Sequence, residues 1–207
     1  MKNNLKTYIP WALFIVIPAV FCTVLYAVQL YNANVFFGIN WNHGFITVVY
    51  EISNDLVQLC RPLAAFCLCI LAVMRPFAEK RDEFVTGMRW ITAAVLAVFA
   101  LSFVVYSGIH GLAFNTVWDW LANILRVAVI PVVLAVALVR QKKLSTPVRW
   151  AITAVICVVM VASSVNKLIL NELYFQLSAP YIIGTLAVTY CELCPALFSL
   201  APSKKMR

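Results

Sequence analysis

Six stretches of this sequence run for 18 to 24 residues with no more than two charged side chains in each: about 8–31, 55–74, 90–108, 120–139, 150–167 and 176–199. A helix needs ~20 predominantly apolar residues to cross ~30 Å of hydrocarbon. No water is present there to satisfy a bare peptide group. A crossing segment must therefore close its own backbone hydrogen bonds, as a helix does, or pair in a closed barrel. The short alternating strands of a barrel do not occur. The expected fold is an all-α polytopic membrane helix bundle with six transmembrane helices. Residues 1–207 read as a single integral membrane domain with no soluble domain appended. Composition agrees, with 64% apolar and 12% charged residues, against ~45–50% and ~25% in soluble domains. A chain this short has no soluble interior in which to hide that excess. A soluble enzyme, a disordered chain and a fibrous repeat are excluded.

The charges orient the helices. Thirteen of the sixteen basic residues fall in the N-terminus, the second loop, the fourth loop and the tail: Lys2 and Lys6; Arg75, Lys80, Arg81 and Arg89; Arg140, Lys142, Lys143 and Arg149; Lys204, Lys205 and Arg207. The first and third loops carry none, and the fifth has only Lys167 at its start. The positive-inside rule then places both termini in the cytoplasm of a plasma-membrane protein. Trp11, Trp90 and Trp150 fall at inner ends, and Trp41, Trp118 and Trp120 at outer ends, as interfacial anchors do. The net charge of +8 is read as topology and attraction to anionic lipid rather than as a nucleic-acid footprint. The apolar run from Tyr8 to Tyr31 is too long for a signal-peptide core and is read as the first crossing.

The second and fourth segments resemble each other. Arg61 and Arg75 are 14 apart, as are Arg126 and Arg140, and an offset of 65 superimposes Asn54 on Asp119, Gln58 on Asn123 and Arg61 on Arg126. The next helices begin alike, with Arg89-Trp90 and Arg149-Trp150 at an offset of 60. Two helical hairpins in series make a parallel repeat, because two crossings restore direction. Chance similarity of Leu/Val/Ala-rich helices is the alternative.

Residues i, i+4 and i+7 share one helix face. Asn54, Gln58 and Arg61 therefore form one stripe, extended outward by Glu51. Asp119, Asn123 and Arg126 form the matching stripe, extended by Thr116. At 1.5 Å per residue both arginines lie ~7–10 Å inside the outer boundary. Facing stripes would build a polar pocket for an anionic small molecule or a lipid headgroup, with Asp119, Glu51 or a bound anion between the two guanidinium groups. The other reading is that Arg61 and Arg126 reach the outer headgroups, or pair with Asp55, Asp119 and Glu51.

Other chemistry-bearing residues are sparse. Cys191-Glu192-Leu193-Cys194 is a C-x-x-C, and Cys67, Cys69 and Cys157 fall in the same half of the bundle. Thiolates at one depth suit a soft metal such as Cu(I) or a redox pair. Against that, cysteine is also a common buried small apolar residue, so the expectation is free thiols and no metal. Glu192 is the deepest acid, either a proton site or a partner for a loop lysine. His43 and His110 both fall in outer loops, so haem ligation inside the membrane is not expected. No Gly-rich phosphate loop, His-Glu-x-x-His or Gly-x-Ser-x-Gly occurs, and no cofactor is expected.

Ser53-Asn54 followed by Leu56-Val57, and Trp118-Asp119-Trp120 through Pro131, form a pattern that resembles the androgen-induced six-helix membrane protein family and its bacterial relatives. The resemblance spans about residues 45–160 and implies the six-helix layout. In animal members a Thr and a His are held to act together on lipid esters. Here Tyr50 occupies the Thr position, and the His position falls near Arg126. The layout carries over and the catalysis does not.

Three function classes follow. A small transporter, or the substrate-binding membrane subunit of a multi-component transporter with partner subunits, suits the hairpin repeat and the paired Arg/amide stripes. An intramembrane lipid hydrolase would need Ser53 or Thr47 as nucleophile, without a histidine placed as its base. A non-catalytic accessory or immunity-type membrane protein needs no special residue.

Overall fold

The computed structural model describes residues 16–17, 20–21, 24, 27–28, 31, 39, 41–74, 82–109, 117–141, 143–175 and 178–200. All regular structure among them is helical. Helix α1 is Phe45–Met74 and α2 is Asp82–Ile109. Then α3 (Val117–Ile124), a π-helical turn (Leu125–Val129) and α4 (Ile130–Val139) run on as one rod. Thr146–Phe175 is α5 and Ala179–Leu200 is α6. Four stretches are long and apolar enough to cross a membrane: Phe45–Met74, Asp82–Ile109, Trp120–Val139 and Thr146–Ile169. This is the architecture of a multi-pass membrane protein. Segment 8–31 lies mostly outside the described residues. Those described in it, among them Val16, Val20, Val24 and Val28, are helical and exposed.

The helices are longer than the apolar runs that announced them. At 1.5 Å per residue the 30 residues of α1 make a ~45 Å rod, which outreaches ~30 Å of hydrocarbon. It starts just after Gly44, whose carbonyl accepts from the amides of Thr47 and Val48. Helix α2 opens with Asp82 and Glu83, acids where the helix dipole favours them. Helix α5 opens on Thr146-Pro147, a first-turn proline that costs no hydrogen bond. The turn before it is held by Arg149. Its guanidinium donates to the carbonyl of Leu144 at 3.2 Å and to that of Gln141.

The packing closes a ring. Helix α1 packs against α2 on one side and α6 on the other, α2 against the π turn and α4, the rod against α5, and α5 against α6. The two hairpins are not equivalent, for α1 and α2 pack extensively while the rod and α5 meet lightly. Helix α1 and the rod are not main packing partners, and α2 packs against both. Leu68, Leu71, Leu96, Leu134, Leu138, Ile156 and Leu200 fill the end that carries the basic turns, with alanines such as Ala64, Ala93 and Ala137 between them. Lipid tails are as apolar as leucine, so close approach at small residues, not water exclusion, holds such helices together. Outward faces carry exposed Leu63, Phe66, Leu101, Val136, Val158 and Ile169. A surface of that kind belongs against acyl chains. Buried hydroxyls are satisfied along their own helices: Thr92 donates to Met88 O at 2.7 Å and Thr153 to Arg149 O at 2.8 Å. Ser164 and Thr189 meet at 2.6 Å and tie α5 to α6.

Candidate functional site: a cation-lined cavity

At the axis of the ring lies a cavity of about 260 Å³. Liquid water occupies ~30 Å³ per molecule, so the space suits a small ligand or part of a larger one. All five helical rods contribute to its wall. Helix α1 presents Val57, Arg61, Ala64, Ala65 and Leu68, positions three to four apart on one face. The rod presents Asn123, Arg126, Val127, Ile130, Pro131 and Leu134. Leu96, Phe99 and Phe103 come from α2, Ile156, Met160 and Lys167 from α5, and Leu193 and Ala196 from α6.

The wall is sorted by chemistry along the bundle. Helices consecutive in the chain run antiparallel, so residues late in α2 and α5 stand level with residues early in α1 and the rod. Arg61, Asn123, Arg126 and Lys167 therefore gather toward the end bearing Phe45, Ile109 and Phe175. Leu68, Leu96, Leu134, Ile156, Leu193 and Ala196 line the other end. Arg61, Asn123 and Arg126 are half-buried, and Lys167 is exposed at the rim. No Asp or Glu occurs among the described lining residues. All four polar side chains have further interactions within the chain.

The census of basic residues makes this convergence specific. Thirteen of the sixteen lie in the termini and the two basic loops. The remaining three are Arg61, Arg126 and Lys167, and all three line this one cavity. Topology rules account for the thirteen. They give no reason for the other three, on three different rods, to meet.

Local backbone places Arg126. The turn from Leu125 to Val129 is π-helical, and the amide of Ile130 donates to the carbonyl of Leu125, five residues back. Pro131 follows just after this turn. It has no N–H for the carbonyl of Val127, and its ring crowds that carbonyl in a regular helix. One extra residue in the turn gives the ring room. Such π turns recur at functional sites.

The remaining candidates are placed as follows. Asn54 and Gln58 are half-buried on α1, beyond the charged end of the cavity, and are not among its lining residues. Glu51 stands further out and pairs with His43, Nδ1 to Oε1 at 3.3 Å, while its Oε2 is buried without a hydrogen-bond partner. It does not stand between the arginines. The side chains of Asp119, Cys191, Glu192 and Cys194 lie outside the described residues. Cys60, Cys67, Cys69 and Cys157 are not in disulfides, and no cluster of three metal-ligating side chains occurs among the described residues. Tyr50 stacks on Tyr106 with ring centroids 5.1 Å apart.

Sequence reasoning missed Lys167, because the apolar run was ended there and the residue was counted with a loop. The structure continues α5 to Phe175. The missed signal was phase: Ile156, Met160, Ser163 and Lys167 recur at steps of four, three and four.

The site thus defines a class: a helical multi-pass membrane protein with a cation-lined cavity inside its bundle. Comparison with protein-family models, with curated proteins and with solved structures gives no match to the chain.

Proposed function

We propose that this protein binds an anionic small molecule or a lipid headgroup in the central cavity, as a small transporter or the substrate-binding membrane subunit of one. The observation that carries the reading is the convergence of Arg61, Arg126 and Lys167, with the Asn123 amide, on one partly apolar cavity. Guanidinium groups recognise carboxylate and phosphate through paired hydrogen bonds. Both termini face the cytoplasm of the plasma membrane in this reading, which rests on the distribution of the basic loops.

Binding of octanoate, with octanol as the neutral control, tests the anion. In lipid nanodiscs the wild-type protein should bind octanoate saturably and above empty discs, and Arg61→Gln or Arg126→Gln should weaken it about tenfold or more. Equal binding of octanol and octanoate would remove the anion from the account. Counterflow of labelled glycerol phosphate in proteoliposomes separates a transporter from a protein that only binds. For topology, cysteines placed at Asn40 and Asn115 should label from outside, and those at Asp82 and Ser145 only from inside.

A further inference from the structure

The anion's charge and shape can be read more closely, on the footing of the binding role proposed above. Two features of the cavity decide it. The first is the number and arrangement of the cations. A planar carboxylate with one charge is satisfied by one guanidinium fork or two. This cavity supplies three basic side chains from three separate rods: Arg61 from α1, Arg126 from the π turn and Lys167 from α5. They reach one cavity from three separate rods. A phosphate monoester has three terminal oxygens pointing in three directions and carries ~1.5–2 negative charges at neutral pH. Lysine adds a point charge with three rotatable donors where the arginines add planar forks, a combination suited to phosphate oxygens.

The second feature is the other end of the cavity. Leu68 lies seven residues beyond Arg61, and Leu134 eight beyond Arg126, which puts the aliphatic wall ~10–12 Å below the cations. A free inorganic anion leaves that wall facing nothing of its own kind, and an apolar substituent fills it.

We infer that the ligand is a phosphate monoester with an apolar substituent, its head held between Arg61, Arg126 and Lys167 and its tail lying along Leu68, Leu96 and Leu134. Lys167 at the exposed rim reads the second charge of the head.

The test uses the full chain in nanodiscs and four probes: octyl phosphate, octanoate, inorganic phosphate and octanol. At pH 8 octyl phosphate should bind about tenfold or more tightly than octanoate, one charged hydrogen bond being worth about that factor. The second ionisation of a phosphate monoester lies near pH 6. At pH 5 the head is therefore mostly a monoanion, and octyl phosphate binding should weaken several-fold from its value at pH 8. Lys167→Gln should remove most of the preference at pH 8, weakening octyl phosphate several-fold more than octanoate. Inorganic phosphate should bind much more weakly than octyl phosphate, because each buried methylene contributes about a fourfold gain. Equal affinities for octyl phosphate and octanoate at pH 8 would overturn the phosphate assignment and leave the anion site standing. Inorganic phosphate binding as tightly as octyl phosphate would overturn the tail and identify free phosphate as the ligand. If neither amphiphilic anion outbinds octanol, the anion-binding role falls as well.

Discussion

The two arginine-bearing rods differ in one respect that matters. In α1, Pro62 follows Arg61 directly, and the helix stays α-helical from Phe45 to Met74. In the rod, Pro131 stands five residues after Arg126, and the backbone widens into a π turn across Leu125–Val129. Both prolines withdraw a donor, Pro62 from the Gln58 carbonyl and Pro131 from that of Val127. Only the second is accompanied by a wider turn, and that turn carries the arginine. The offset of 65 that aligns Gln58 with Asn123 and Arg61 with Arg126 does not align the prolines. A repeat in side chains therefore coexists with a difference in backbone. The same contrast extends to the hairpins. The first is closed by extensive apolar packing, whereas in the second α5 is secured at its start by Arg149 and against α6 by Ser164 and Thr189.

The largest effect should come from the arginines themselves. Arg61→Gln and Arg126→Gln should each cost about 1.5–3 kcal/mol in octanoate binding, read by titration in nanodiscs. A large loss at one and none at the other would mean that only one rod holds the anion.

Next come the prolines. Pro131→Ala restores a donor for Val127 and should let the π turn return to regular helix. Returning to regular helix turns the two halves of the rod relative to each other by ~100°, one residue's rotation. Binding should fall about tenfold while thermal stability is kept or rises, since an interior proline costs ~3 kcal/mol in a regular helix. Pro62→Ala should leave binding within about twofold, because α1 is already α-helical there. Equal effects of the two substitutions would erase the distinction between the rods.

Arg149→Ala should destabilise the second hairpin by about 1–2 kcal/mol, seen as a lower unfolding midpoint in detergent. Arg149→Lys keeps the topology charge but loses the fork, so it should recover less than half of that. Unchanged stability would make Arg149 a charge marker only. Smallest of all, Ser164→Ala should cost about 0.6 kcal/mol, the usual scale of an interhelical hydrogen bond in membranes. A loss several times larger would make the Ser164–Thr189 link the main tie between α5 and α6.

How much of this was legible in the sequence follows from what each signal encodes. Apolar run length reports membrane depth, so the four helices long and apolar enough to cross have their cores at 55–74, 90–108, 120–139 and 150–167. Helix ends extend further because continuation past the membrane depends on capping and packing, as at Gly44 and Phe175. Helical phase put Arg61, Asn123 and Arg126 on chosen faces, and those faces line one cavity. Phase has no reach along the axis, however. Glu51, Asn54 and Gln58 share the phase of Arg61 yet lie outside the cavity lining. Lys167 stayed hidden because a charge at the edge of an apolar run reads as its end. The π turn was written only in Pro131, whose consequence for backbone register no periodicity count contains.

One measurement bears most directly on the claim that Arg61 and Arg126 act on a single anion: a double-mutant cycle on octanoate binding, comparing wild type, Arg61→Gln, Arg126→Gln and the double variant. Side chains that share a ligand couple by ~0.5–3 kcal/mol, whereas independent sites add within ~0.3–0.5 kcal/mol. The account predicts a coupling of at least about 1 kcal/mol. Strictly additive losses, or losses at neither residue, would contradict it and return both arginines to the role of separate headgroup anchors.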